Sequence, residues 1–395
     1  MGSVIGSCAG ACAASCICQA CAGANRSAAR FIYAAIFFIT VILAWIIRDY
    51  SGDWLKTLHQ FKACKDVGIG NPNHCVGSEG VLRLSFSGFI FFAVMFLTTL
   101  GTKSKEDCRD SWHSGFWPIK IIFWLGLLIV PFFMPSGFFQ VYGEIARFGS
   151  GIFLVIQLVT LLNFVYEWND AWLADDNERR CRIPLVGVSL FCYLLSLALI
   201  ILMFVWFSPR ASCSLNIFFI TWTLILILVM TVVSLHPQVN AGLLTSGVMA
   251  LYMVFLCYSA IMSEPASYSC NTRPRQTGRS DWVSIVSFLL AFIAIIISTF
   301  TAGGDYRAFQ FKKEASLDAD EVPYAYGFFH FVFAMGAMYS AMLFLGWNLN
   351  TTSAKWSIDV GWASVWVKIV SEWVTFGLYL WTMLAPLFLK DRSFY

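Results

Sequence analysis

Ten long apolar stretches, separated by more polar segments, constrain the fold of this chain more than any other feature. Their ranges are 31–48, 82–101, 118–134, 138–173, 184–206, 217–235, 241–262, 283–300, 327–346 and 364–389. A helix needs about 20 apolar residues to cross the ~30 Å hydrocarbon core of a bilayer. Only 12% of the 395 residues are charged, against roughly 25% in soluble domains. The sequence therefore predicts an all-α membrane protein of about ten transmembrane helices, with 31–389 as a single transmembrane domain.

The fourth stretch, 138–173, is too long for a simple crossing. As one helix it would measure about 54 Å, so it must tilt strongly or project from the bilayer. Glu144 and Arg147 are three residues apart near its start, which places them on one helix face. Charged residues within apolar membrane segments occur mostly where they form an ion pair or belong to a functional site. We interpret this pair as a staple that holds the helix against its bundle; contact with a lipid headgroup is the alternative.

Other polar residues also interrupt the apolar stretches. Gln157 and Asn163 are typical of side chains that hold helices together. His330 is expected to be a satisfied polar side chain near the cytosolic interface, and Lys368 and Glu372, beside several tryptophans, are expected to anchor their helix at the membrane surface. The full set of candidate lipid-headgroup or intramembrane polar residues is Glu144, Arg147, Gln157, Asn163, His330, Lys368 and Glu372.

The distribution of Lys and Arg in the short loops indicates the orientation. With the N-terminus in the cytosol, fourteen of these residues lie on the cytosolic side and ten on the opposite side. This orientation makes 1–30, the loop 301–326 and the tail 390–395 cytosolic, and it makes 49–81 an outer loop. The predicted location is the endomembrane system or the plasma membrane.

The cysteines fall into two groups that suit opposite sides of the membrane. The outer side collects Cys64, Cys75, Cys213 and Cys270, which could form two disulfides in an oxidising compartment. Three pairings are open, and free thiols are the alternative. For the N-terminal cysteines, S-palmitoylation is favoured over a zinc site or packed thiols. That cluster contains Cys8, Cys12, Cys16, Cys18 and Cys21.

Two further sequence features bear on modification and catalysis. Asn350 begins an outer Asn-Thr-Thr glycosylation sequon. The chain has no G-x-x-x-x-G-K-[ST], H-E-x-x-H or G-x-S-x-G motif, and Asp175 and Asp176 lack the repeated acidic spacing of a metal site. We therefore expect a protein that is not an enzyme and that uses no metal or cofactor. The net charge of +3 is small and dispersed, so nucleic acid is not an expected partner.

Several segments together resemble one known family, the serine incorporators (also called TMS/TDE proteins), over nearly the full length of the chain. Two departures are Ser114, where animal members often have Asn, and Asn163, where an acidic residue is expected. The matching segments are "WHSGFWPIK" (112–120), the long apolar segment 143–172, "HPQVNAGLLTSGVMALYMVFLCYSAIMSEP" (236–265), "CN" (270–271), 324–347 and 362–394.

The resemblance implies a fold and a function. The implied fold is ten helices in two bundles, joined by a long tilted fourth helix. The implied function is to handle membrane lipids, by assisting incorporation of serine into phosphatidylserine and sphingolipids, by ATP-independent phospholipid scrambling, or by both. A serine carrier or a non-catalytic scaffold for lipid-synthesising enzymes is the alternative. Membrane phospholipids are the main expected partners, and serine, lipid-synthesising enzymes and further copies of the chain are the others.

Overall fold

A computed structural model describes residues 26–50, 72–173, 178–208, 210–239, 242–271, 282–304, 322, 324–349 and 356–388. The regular secondary structure in these ranges is helical. A 3₁₀ turn, Val130–Phe133, follows the fourth α-helix. The α-helices are α1 (Arg26–Tyr50), α2 (Pro72–Thr99), α3 (Cys108–Ser114), α4 (Trp117–Ile129), α5 (Ser136–Leu173), α6 (Glu178–Phe207), α7 (Ser214–Ser234), α8 (Leu243–Met262), α9 (Trp282–Gly304), α10 (Tyr326–Leu345) and α11 (Trp362–Phe388).

Seven of the described helices are long and apolar enough to cross a membrane, which confirms an all-α, multi-pass architecture. They are α1, α2, α5, α6, α7, α8 and α10. The predicted span 118–134 instead belongs to a pair, α3 and α4, which is bent by 62° and would make an eighth crossing if the pair spans. The described part of α9 qualifies only as a shorter apolar helix, and α11 is not among the seven. The predicted number of ten spans therefore remains a prediction.

The chain divides into two compact units. Unit 1 contains residues up to Gln157 together with Asp281–Ile358, and unit 2 contains Leu158–Ser280 together with Asp359–Tyr395. Helix α5 has 38 residues, and its first part belongs to unit 1 and its last part to unit 2. The prediction of one unusually long fourth helix is thereby confirmed, with bounds within two residues of the expected 138–173.

Helix α10 is the centre of unit 1. In the apolar segment of α10 that is long enough to cross a membrane, 83% of the residues are buried, which is the largest share among the candidate spans. Small residues allow this enclosure, because Gly336 and Ala337 let neighbouring helices approach closely. Gly336 lies against Thr299 of α9, and Ala337 lies against Gly88 of α2.

The end of α1 is tied to two other parts of unit 1 by Arg48. Its Nη1 donates to the Phe344 carbonyl oxygen at 3.2 Å and to the Ser357 carbonyl oxygen at 2.7 Å. Its Nε lies 2.7 Å from Oδ1 of Asp49, and Asp49 in turn accepts hydrogen bonds from Trp45 Nε1 and from the Trp356 backbone N–H. This buried ion pair therefore fixes the segment after α10 against the end of α1.

Lys120 fixes the bend between α3 and α4. Its ammonium donates to the carbonyl oxygens of Trp112, His113 and Gly115, which lie at or near the end of α3. The last carbonyls of a helix lack partners in the helix itself, so a cation there acts as a cap. Between the two helices, Phe116 takes a left-handed backbone conformation (φ 57°).

Two of the Lys and Arg residues counted for the orientation are buried. Lys120, counted on the cytosolic side, is 1% exposed, and Arg83, counted on the outer side, is 0% exposed. Arg83 pairs with Glu79, one turn earlier in α2, and donates to the carbonyl oxygens of Pro131 and Met134. Carbonyl oxygens at helix ends, which hydropathy does not detect, stabilise both charges inside unit 1.

Helix α8 is the most enclosed candidate span of unit 2, because 67% of the residues in its membrane-spanning apolar segment are buried. It packs against α6, α7 and α11. Tyr379 of α11 donates to Thr245 of α8 at 3.0 Å. A disulfide joins Cys213, at the start of α7, to Cys270, after the end of α8. Of the three pairings that the sequence left open, the one that joins cysteines nearest in sequence includes this disulfide. That pairing is confirmed for these two cysteines.

Candidate functional site

The predicted polar residues are divided between the two units. Each of them lies in one of the two units and has its own surroundings. The residues of unit 1 are Glu144, Arg147, Gln157 and His330, and those of unit 2 are Asn163, Lys368 and Glu372.

Glu144 and Arg147 form the expected ion pair on the first part of α5. Arg147 Nη1 lies 2.5 Å from Glu144 Oε2, and the side chains are 57% exposed for Glu144 and 36% for Arg147. The interpretation as a staple against a neighbouring helix is wrong, because the pair joins two turns of the same helix and remains open to the surroundings. The alternative, contact with a lipid headgroup, is compatible with this exposure.

The face of α5 that carries this pair is mostly apolar, with Gln140 as a further exposed polar residue one turn before Glu144. Val141, Ile145 and Phe148 are 62%, 52% and 78% exposed and lie on the turns that hold Glu144 and Arg147. Exposed apolar side chains on a membrane helix suit acyl chains, whereas an ion pair between them suits a polar group. This face therefore offers both kinds of contact that a phospholipid requires.

Gln157 and Asn163 have different roles, although they share α5. Gln157 Nε2 donates to Ser298 Oγ at 2.6 Å, which joins α5 to α9 within unit 1 and confirms that this residue holds helices together. Asn163 Nδ2 donates to Glu167 Oε1 on its own helix at 3.1 Å. The same expectation is therefore wrong for Asn163.

His330 belongs to a buried cluster of aromatic and imidazole rings in unit 1. Its Nε2 is 3.0 Å from His113 Nδ1, and the other His113 nitrogen, Nε2, is 2.9 Å from the Tyr324 hydroxyl. His330 Nδ1 is buried and has no hydrogen-bond partner among the described residues, so the expectation of a satisfied side chain is met there at only one of the two ring nitrogens. Because His330 is 0% exposed, it cannot touch a lipid headgroup in this structure.

The partners of this cluster were not predicted from the sequence. The Tyr33 hydroxyl donates to the His113 carbonyl oxygen at 2.9 Å, and the Tyr326 hydroxyl donates to Asp110 Oδ1 at 2.6 Å. Burial raises the pKa of Tyr324, which lies before α10, so its phenol stays neutral. The sequence feature that could have indicated this cluster is a single histidine in each of two aromatic-rich segments, around 113 and around 330.

Lys368 and Glu372 do not form a membrane-surface anchor. The Lys368 ammonium lies 2.7 Å from Asp359 Oδ2 and donates to Ser263 Oγ at 2.6 Å, so it turns towards α8. Glu372 is 1% exposed. The prediction of an anchor at the membrane surface is wrong, because both side chains make their contacts inside unit 2. Trp362 and Trp366 are nevertheless exposed, as expected.

The remaining predicted residues lie where the structure gives no side-chain description. Cys64, the side chain of Cys75, and Asn350 are in this group, as are the N-terminal cysteines Cys8, Cys12, Cys16, Cys18 and Cys21. Within the described ranges, no group of three or more His, Cys, Asp or Glu residues is arranged to hold a metal ion.

The helices and the polar surroundings described above define the class of the protein, a multi-pass integral membrane protein. The family model described as "Serine incorporator (Serinc)" matches residues 6–316 and 307–392, which is nearly the whole chain. The chain therefore belongs to the serine incorporator family, as its sequence segments indicated.

Individual relatives agree with this membership. A "Probable serine incorporator" of Dictyostelium discoideum is 31% identical, with 93% of this chain and 95% of the relative covered. A second "Probable serine incorporator", from Monosiga brevicollis, is 29% identical over 95% of this chain and 93% of its own length. Human "Serine incorporator 2" is 28% identical over 96% of this chain and 94% of its own length.

Proposed function

We propose that this protein handles membrane phospholipids and allows them to move between leaflets without ATP. The observation that carries the proposal is the exposed Glu144–Arg147 pair within a mostly apolar face of α5. A phospholipid that changes leaflet has to bring its charged headgroup past hydrocarbon. An ion pair on the lipid-facing surface lowers the cost of that step by exchanging its internal contact for contacts with the headgroup.

The chemistry of the pair suits a zwitterionic or amine-containing headgroup. The Arg147 guanidinium can bind phosphate through two parallel N–H donors, and the Glu144 carboxylate can accept from a headgroup ammonium. The neighbouring side chains Val141, Ile145 and Phe148 would contact the acyl chains. The protein in this proposal supplies a route and no covalent chemistry, so it is not an enzyme and needs no cofactor.

A liposome experiment tests the lipid route directly. Purified protein is reconstituted with a fluorescent phospholipid in both leaflets, and an impermeant reductant then bleaches the accessible dye. We expect wild-type vesicles to lose nearly all fluorescence, because inner-leaflet lipid reaches the outside, and protein-free vesicles to lose about half. Retention of the inner-leaflet signal with the wild-type protein would exclude scrambling.

A matched pair of variants tests the assigned residues. Glu144→Gln combined with Arg147→Gln removes both charges and should slow bleaching of the inner leaflet. Lys103→Gln combined with Glu106→Gln removes the same two charges from exposed positions before α3 and should leave the rate unchanged. Equal rates for the two double variants would show that the α5 pair is not part of the route.

The names of the relatives support a second part of the proposal. "Serine incorporator" describes proteins such as the human and Dictyostelium relatives, and we extend that role to this chain as assistance to incorporation of serine into phosphatidylserine and sphingolipids. Carriage of serine, or a scaffold for lipid-synthesising enzymes, is the alternative. Labelled serine in cells without the protein distinguishes these roles from scrambling, since unchanged labelling of both lipid classes would exclude any such assistance.

We also propose that both termini are cytosolic, in a membrane of the endomembrane system or at the cell surface. The Cys213–Cys270 disulfide supports this orientation, because it lies on the side that the Lys and Arg distribution assigns to an oxidising compartment.

A further inference from the structure

Glu372 is an acidic side chain in the interior of unit 2. It lies on α11 beside Thr223 of α7 and Cys257 of α8, and all three residues are 1% exposed or less. Its Oε1 is buried and has no hydrogen-bond partner among the described residues, and no described residue forms an ion pair with it. The carboxyl group is therefore removed from solvent without a visible compensating charge.

The nearest cation along α11 cannot supply that charge. Lys368 is one turn before Glu372, but each of its three N–H donors already has an acceptor. These acceptors are Asp359 Oδ2 at 2.7 Å, Ser263 Oγ at 2.6 Å and the Ser259 carbonyl oxygen at 3.3 Å. Because Asp359 balances the charge of Lys368, the charge of Glu372 would remain uncompensated.

The hydroxyl hydrogens of the nearby threonines are engaged by backbone carbonyl oxygens. Thr223 Oγ1 donates to the Phe219 carbonyl oxygen at 2.8 Å, and Thr375 Oγ1 donates to the Ser371 carbonyl oxygen at 2.7 Å. A hydroxyl group has only one hydrogen to donate, so Thr223 can donate to an ionised Glu372 only by giving up its bond to Phe219. A protonated Glu372 has an O–H that Thr223 can accept without that loss.

We infer that Glu372 is a binding site for a proton in the interior of unit 2. A buried ion without a partner costs several kcal/mol, and binding of one proton removes that ion and provides the missing donor. The titratable and charged groups around the site are the Cys257 thiol from α8 and Lys368 from α11; α7 contributes the uncharged Thr223. This inference is independent of lipid movement and goes beyond the proposed function.

A polar face of α11 gives the proton a path to the end of the helix. Ser364, Lys368, Glu372, Thr375 and Tyr379 follow one another at intervals of three or four residues and therefore share one face. Ser364 Oγ, near the start of the helix, is buried and has no partner among the described residues. Ionisable residues inside membrane helices commonly mark such proton routes.

Infrared spectroscopy of the purified protein tests the proton site. The difference spectrum between wild type and Glu372→Gln at neutral pH should contain the carbonyl band of one protonated carboxylic acid. A difference that contains only the bands of an ionised carboxylate would overturn the inference. Glu167→Gln is the matched control, because Glu167 is an exposed glutamate on α5 and should contribute only carboxylate bands.

A second variant makes the test independent of any folding defect in Glu372→Gln. Glu372→Asp retains the acid but changes its surroundings, so the protonated carbonyl band should shift in frequency and persist. The glutamine side chain resembles the neutral acid, so Glu372→Gln should keep the wild-type unfolding midpoint at neutral pH. Glu372→Asp spectra without a protonated band would contradict the inference.

Discussion

At the residue scale, unit 1 stabilises its charged side chains in two different ways. Lys120 is held by three carbonyl oxygens and by the faces of Trp112 and Trp117, whose ring centroids are 5.0 and 4.7 Å from Nζ. Glu144 and Arg147 pair with each other and remain exposed. Removal of a buried cation should therefore change the free energy of unfolding more than removal of an exposed ion pair.

Lys120→Met should destabilise the protein. Methionine keeps the length of the side chain but donates nothing to the carbonyl oxygens at the end of α3. A single hydrogen bond to a charged group contributes about 1.5–3 kcal/mol, and Lys120 loses its bonds to three carbonyl oxygens. Thermal unfolding in detergent should show a lower midpoint for Lys120→Met and an unchanged midpoint for Lys103→Met, an exposed lysine before α3. Equal midpoints would show that the bend does not depend on this cap.

Alanine at Glu144, at Arg147 or at both positions should change stability very little. Exposed ion pairs contribute at most about 1 kcal/mol, whereas removal of one partner from a buried pair costs about 3–5 kcal/mol. The three variants should therefore unfold within a narrow range of the wild-type midpoint while lipid movement falls. A single variant that is clearly less stable than the double variant would mean that the pair is buried in the membrane-bound protein.

The same residues show what sequence can predict at this scale. The spacing of Glu144 and Arg147 was enough to predict that they pair, because three residues separate neighbours on a helix face. Whether the pair is buried could not be predicted, since that depends on which helices pack against α5. The burial of Lys120 depends in the same way on the end of α3, a helix of seven residues with no apolar periodicity.

At the scale of elements, apolar length predicted the helices well and close packing less so. The run 138–173, which contains no proline, predicted one long helix, and α5 has these bounds within two residues. The bend between α3 and α4 was missed because the polar segment before Trp117 resembles a loop. Contacts between helices depend on small residues whose partners are far away in sequence, and a single chain does not reveal those pairs.

Gly77 gives the packing of α1 against α2 a direct test. A Cβ at Gly77 would lie 2.7 Å from the Arg48 carbonyl oxygen, a backbone atom that cannot turn away. Gly77→Ala should therefore force the two helices apart and lower the unfolding midpoint, with a cost of about 1–3 kcal/mol. Gly126→Ala on α4 is the control, since nothing lies within 4 Å of its added Cβ and alanine favours a helix. A loss of stability at both glycines would point to a general effect of the substitution.

At the scale of the whole molecule, the number of crossings decides which parts of the chain face the same compartment. Between Cys108 and Cys213 the chain contains the bent pair α3–α4 and the two candidate spans α5 and α6. If the bent pair crosses the membrane, three crossings place these cysteines on opposite sides. If it enters and leaves on one side, two crossings place them on the same side.

Labelling of cells with an impermeant thiol reagent should resolve this choice in favour of three crossings. Cys108 is an exposed free thiol at the start of α3, and Cys213 is bonded to Cys270. Because Cys213 and Cys270 are buried, Ser212→Cys supplies an exposed thiol directly before the disulfide. For the protein at the cell surface, the reagent should modify this new thiol in intact cells, whereas Cys108 should react only after permeabilisation, and mass spectrometry identifies each labelled position. Labelling of Cys108 and the Ser212→Cys thiol from the same side would show that the bent pair is re-entrant, and the N-terminus and the disulfide would then share one side of the membrane.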